Sequence, residues 1–183
     1  MSTMFPALAF DVPAEPLVLA AARTLSSRIA SGEPLSRRQV SEVLSEQFGG
    51  SDADGRWSVR DAHAALELAQ VLWLQGHAEL DLGTEPDAAG RIFDRLEAAI
   101  PTQTNRSDEQ IEWQQFATPP RIAWLAARGS ALSSCDLVLE PSAGTGMLAL
   151  WAGRAGAGLA LNEISPLRRD CLAVLFPEAR ISG

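Results

Sequence analysis

The sequence predicts an α/β protein: an all-helical block over residues 1–100, a connecting segment at 101–115, and from 116 to 183 the first, incomplete part of a parallel sheet. Three observations carry this prediction. Apolar residues recur at helical spacing, bracketed by cap signals, from residue 16 to 100. The apolar run at 137–140 ends on an acid, breaks into a glycine-bearing turn and restarts as a helix near Met147. A second apolar run at 158–163 follows that helix and again ends on an acid, which completes a β-α-β unit.

Taken in order, residues 1–14 are apolar but broken by Pro6 and Pro13 and read as an extended arm. A helix is expected over 16–29, with Pro16 at its first turn and Gly32 beyond its end. Ser36 with Gln39 forms a capping box ahead of the stripe Val40, Val43, Leu44 and Phe48, and Gly49-Gly50 stop that helix. The stretch 51–55 resembles the start of a calcium loop, but the twelfth position counted from Asp52 is His63 where a bidentate Glu is required, so a surface turn is expected. Ser58 and Asp61 cap a third helix, and Thr84 with Pro86 starts a fourth carrying Ile92, Phe93, Leu96 and Ile100. Trp57, Trp73 and Phe93 fall on these stripes and are expected in the core. Thr118 is expected as an N-cap with Pro119 at the first helical position. Ser165 and Pro166 open the last helix, and 180–182 reads as the beginning of a third strand.

A chain of 183 residues holds one ordinary domain, or a small domain plus part of another. Its 46% hydrophobic and 21% charged residues suit a soluble protein with a buried core. A net charge of −8 argues against wrapping nucleic acid unaided, because phosphate contacts need a concentrated basic face. All 15 basic residues are Arg, which points to coding bias before function. Arg121, Arg128, Arg168 and Arg169 are expected as solvated helix charges more than as a nucleic-acid face. The sequence holds neither a membrane-length apolar run nor a basic-then-apolar leader, so a cytoplasmic location is expected. Cys135 and Cys171 are too few for a zinc site and are expected as small buried hydrophobes. His63 and His77 stand fourteen residues apart, which is no ligand-pair spacing, so no metal is expected.

The chemistry concentrates in 137–148. Gly144 and Gly146 let the backbone turn tightly and pass close to a ligand, and the loop feeds a helix N-terminus. The loop lacks the Gly-Lys-Ser/Thr ending that cradles a triphosphate. Glu140 at the strand end repels phosphate but suits an amino group or a ribose hydroxyl, so a cationic cofactor with an amino-acid end fits best. The helix N-terminus after Thr118 offers free N–H groups to a carboxylate, although taken alone that segment is better explained as a capped helix and nothing more. Glu163 follows Glu140 by 23 residues, close to the spacing of about 20 at which a second-strand acid meets ribose hydroxyls in β-α-β nucleotide folds.

The run Val138-Leu139-Glu140-Pro141-Ser142-Ala143-Gly144-Thr145-Gly146 resembles the cofactor motif of class I S-adenosylmethionine-dependent methyltransferases, in particular the amino-methylating DNA adenine enzymes of the Taq type. Thr118-Pro119-Pro120 before it and Glu163-Ile164 after it match two further elements of that family, in the same order. The helical block, with Pro101-Thr102-Gln103-Thr104 and Gln114-Gln115-Phe116, is also similar to the N-terminal region of bacterial strawberry-notch-type proteins, which join such a domain to a superfamily 2 helicase. The resemblance implies a Rossmann-like sheet and S-adenosyl-L-methionine as cofactor. It implies that Thr118 holds the methionine carboxylate, Glu140 the α-amino group and Glu163 both ribose hydroxyls. Ile164 would pack on the adenine and Phe116 would pack on or shield the cofactor. Gly144 and Gly146 would let the backbone pass, and Pro141, Ser142, Ala143, Thr145 and Asn162 complete the set.

The Asn/Asp-Pro-Pro-Tyr/Phe element of those adenine methylases, whose aromatic stacks on a flipped base, has no match in the sequence. No catalytic residue is therefore expected. The chain is expected to be the N-terminal part of a longer methyltransferase, or a truncated relative, inactive alone. Its implied partners are DNA for the full-length protein, the C-terminal remainder of the methyltransferase domain and a helicase domain, with no membrane and no metal. A competing expectation is an acidic, non-catalytic module on a methylase-like scaffold that binds a protein partner or competes with nucleic acid. A nicotinamide-binding dehydrogenase fragment fits less well, because the loop is not Gly-x-Gly-x-x-Gly.

Overall fold

A computed structural model describes residues 15–101 and 117–183. The arm expected at 1–14, most of the connecting segment and Phe116 lie outside the described residues. Four helices come first: α1 (Leu17–Ala30), α2 (Arg37–Phe48), α3 (Val59–Gln75) and α4 (Pro86–Ala99). Then follow α5 (Pro120–Gly129), β1 (Leu137–Glu140), α6 (Met147–Arg154), β2 (Gly158–Asn162), α7 (Pro166–Leu175) and β3 (Arg180–Ser182). The fold is thus α/β, a helical part and a three-stranded parallel sheet in the order β1-β2-β3.

The helix starts follow the local chemistry. In both expected capping boxes the serine side chain accepts the N3 backbone N–H and the N3 side chain reaches back: Ser36 with Gln39, Ser58 with Asp61. Gly49 ends α2 in the left-handed conformation (φ 68°) that glycine adopts without a side-chain penalty. Three starts differ from expectation. Pro16 is the N-cap of α1, not a residue of its first turn. Glu85, not Thr84, precedes Pro86 at the N-cap of α4, while the Thr84 hydroxyl serves the preceding turn by bonding the Asp81 backbone N–H at 2.9 Å. Thr118 is likewise not an N-cap. Pro119 takes that place at φ −57°, ψ 140°, because the ring of Pro120 bars its predecessor from helical ψ, and the helix begins one residue later.

The stretch 51–55 is a turn in which the Ser51 hydroxyl donates to Asp54 at 2.6 Å, holding that exposed carboxyl below its ordinary range. Among the described residues no helix is long and apolar enough to cross a membrane.

The core is continuous from the helices into the sheet region. α3 is its axis: Ala64, Ala65, Leu68, Ala69, Val71 and Leu74 are all buried, with α1 packed along its length. A helix covered on most of its circumference buries whatever polar side chains it carries. Phe93 of α4 meets Trp124 of α5 at 5.9 Å and Trp151 of α6 at 6.3 Å between ring centroids, an aromatic junction where the two parts join. Trp57, Trp73 and Phe93 are buried as expected. Cys171 is buried too, but Cys135 is exposed: it sits in the turn before β1, where Ser133 and Asp136 form a side-chain cap on the surface. Leu137 and Leu139, on one face of β1, are 68% and 69% exposed.

Candidate functional site

All three strands are parallel, so their carboxyl ends lie together, the place where open α/β sheets bind ligands. A cavity of about 320 Å³ opens there, at the lower end of the range for small-molecule sites. It is lined by Thr118, by loop residues Pro141, Ser142, Ala143, Gly144 and Thr145, and by Asn162, Glu163 and Ile164. Segments separated by a helix or more in sequence thus meet around one space.

The end of β2 holds the loop that leaves β1. The Asn162 carbonyl accepts the Ala143 N–H at 2.8 Å, and its side-chain amide donates to the Pro141 carbonyl at 3.0 Å. One carboxylate oxygen of Glu163 accepts the Gly144 N–H at 2.8 Å and the other accepts the Ser165 N–H at 2.8 Å. Glu163 is 4% exposed, and each of its oxygens keeps a second lone pair for a further donor. Ile164 beside it is 60% exposed and offers a flat apolar contact.

Two of the loop residues expected to bind a cofactor do not line the cavity. The Glu140 carboxylate accepts the Ser142 N–H at 3.3 Å and closes the turn after β1. Gly146 caps α6 at φ 91°, and a Cβ there would lie 2.5 Å from the Phe176 ring, so packing beneath α7 requires this glycine. Gly144, at φ 58°, does face open space.

The structure adds residues that the motif did not reveal. Glu67 of α3 reaches the cavity and lies 3.7 Å from Arg168 of α7, both side chains being less than a tenth exposed. Burial pushes the Glu67 carboxyl up to about 7, against the opposing pull of Arg168 and a hydrogen bond from Thr145, with Glu163 adding repulsion. Met147, Leu148 and Ala117 complete the apolar lining. The available signals were positional: Glu67 is a lone acid among Ala64, Ala65, Leu66, Leu68 and Ala69, and Arg168 shares a helix face with Cys171 and Leu172.

Of the four arginines expected as solvated charges, Arg121 stays at the surface in ion pairs, and the other three are committed within the fold. Arg121 pairs with Asp94 and Glu97, Arg128 donates to the carbonyls of Leu82 and Thr84, and Arg169 donates to those of Glu163 and Ile164. Arg168 is buried against Glu67. Each lies where its helix packs on another segment, which composition alone does not report.

Among the described residues no group of His, Cys, Asp and Glu is arranged to hold a metal ion. No family model, curated protein or solved structure matches the chain.

Proposed function

We propose that this chain is the S-adenosylmethionine-binding portion of a DNA methyltransferase acting on the exocyclic amine of a base, cytoplasmic, and part of a longer methyltransferase and helicase protein. The observation that carries it is the convergence of Thr118, the loop 141–145 and Glu163-Ile164 on one cavity at the carboxyl ends of parallel strands. A sulfonium with a zwitterionic tail and a ribose needs a donor cluster, an acid and an apolar slot. Pro119 and Pro120 have no N–H, so the Thr118 hydroxyl and the N–H groups of Arg121 and Ile122 are the donors left for a carboxylate at the start of α5. The spare lone pairs of Glu163 suit ribose hydroxyls, and Ile164 suits an adenine face. Glu140 would act on the α-amino group only through its turn, by shaping the loop. β1 lies at an edge of the sheet, where further strands of such a sheet would pair.

Isothermal calorimetry with S-adenosylmethionine tests this proposal. The expected result is one binding site, weakened at least tenfold, or about 1.4 kcal/mol, in both Thr118→Val and Glu163→Ala. Absence of binding by the folded protein at millimolar cofactor, together with absence in a longer chain that adds the rest of the sheet, overturns the assignment. Binding in the longer chain alone locates the missing support in the added strands.

A further inference from the structure

Among the charged groups that line the cavity, one comes from the helical part. Glu163 has both oxygens committed to backbone N–H groups, and Arg168 is anchored on α7. Glu67 is held differently, by the side chains of Thr145 and Arg168, which rotate more freely than a backbone. We infer that Glu67 reads the charge of the bound cofactor: ionised, it favours a sulfonium methyl donor over the uncharged thioether left after transfer. This rests on the cofactor reading above and deepens it. In the transfer the S–CH₃ bond breaks, an N–C bond forms on the acceptor amine, the amine loses a proton, and the sulfonium becomes neutral. The cavity therefore meets a ligand that differs by one positive charge before and after reaction.

The groups around Glu67 make its own charge decisive. Arg168 of α7 and Glu163, after β2, face it across the cavity, and Glu97 of α4 faces it across an adjoining space also walled by Gln70 and Thr118. His63 lies one turn earlier on α3. The buried faces of α1, α2 and α6, which pack on α3, are apolar. With Glu67 protonated, Arg168 and Glu163 balance and the lining is neutral. With Glu67 ionised, the same lining carries one net negative charge. Its burial places the change near neutral pH.

The experiment compares S-adenosylmethionine and S-adenosylhomocysteine by calorimetry on the whole chain, at about pH 5.5 and about pH 7.5. The wild type should gain roughly tenfold in its preference for the sulfonium between the two conditions. Glu67→Gln should show the same preference at both, equal to that of the wild type in acid. A pH-dependent preference that survives in Glu67→Gln would assign the effect to another group and overturn the inference. A flat preference in the wild type overturns it without need of any variant, while leaving the cofactor reading intact. Failure of both ligands to bind at either pH removes the cofactor reading, and this inference with it.

Discussion

Glu163 Oε2 accepts the Gly144 N–H at 2.8 Å across nineteen residues of sequence, so the acid ending β2 fixes the loop that leaves β1. The loop is thereby shaped by the fold itself. Glu163→Ala strands two half-buried backbone N–H groups, those of Gly144 and Ser165. At about 1–3 kcal/mol for each unsatisfied donor, partly relieved by water, we expect a loss of about 2–4 kcal/mol in urea denaturation. Glu163→Gln keeps one acceptor and should lose about half as much. Equal stability of Glu163→Ala and the wild type would show that the loop holds its shape without the clasp.

Gly144 and Gly146 should behave differently despite sharing one motif. Alanine at Gly146 meets both a positive φ of 91° and the Phe176 ring at 2.5 Å, so about 2–4 kcal/mol of destabilisation is expected. Alanine at Gly144 meets only the backbone cost of φ 58°, about 1–2 kcal/mol, and no side-chain collision. Phe176→Leu should recover part of the Gly146→Ala loss and none of the Gly144→Ala loss. Thermal unfolding of the three single and two double variants checks this.

What the sequence disclosed follows the range of the interactions involved. Capping boxes at Ser36 and Ser58, the Gly49 stop and the loop between β1 and α6 are set by neighbours within a few residues, and each was legible. The start of α5 was misplaced by one residue because two constraints compete at Thr118-Pro119-Pro120: a threonine suits an N-cap, but the second proline forces the first out of the helix. Nothing in the sequence shows that Glu67 reaches the cavity, and Arg168 reads there as a solvated helix charge, for another reason. Periodicity assigns a residue to a helix face but not to the segment that covers the face, and the covering segments here lie about a hundred residues apart. Cys135 escaped because its turn places it outside the strand's alternation, so its exposure depends on local chain direction alone.

Glu67 should make stability depend on pH in a direction opposite to that of a paired surface acid. Its carboxyl is raised from 4.5 to about 7 in the folded state, mainly by burial. Between those values the folded protein binds more protons than the unfolded chain, so stability falls as pH rises. The stabilisation is complete below about 4.5 and lost above about 7. Glu67→Gln mimics the protonated form and lacks the dependence. Relative to the wild type, the variant should therefore gain about 2–3 kcal/mol between mildly acidic and mildly alkaline pH. Urea denaturation of both proteins across that range measures the difference, and parallel curves would show that Glu67 stays ionised against Arg168 throughout.

Arg154 joins the last turn of α6 to the end of α3. Its guanidinium donates to the carbonyls of Leu74 and Leu80 and lies 5.2 Å over the Trp151 ring. Burial works against its charge, and Glu79 and Asp81 nearby support it. The two carbonyls are not equally exposed to its loss, since Leu74 also accepts the His77 N–H at 3.0 Å. Arg154→Met preserves the packing of the stem and removes the donors, so its cost should come mainly from the Leu80 carbonyl and the lost cation–π contact, about 2–3 kcal/mol together. Arg154→Lys keeps the charge, but a single ammonium lacks the planar fork that reaches both carbonyls, and about half that cost is expected. Denaturation of the two variants ranks them, with Met the less stable. The reverse order would mean that the arginine acts through packing on Trp151 and not through the carbonyls.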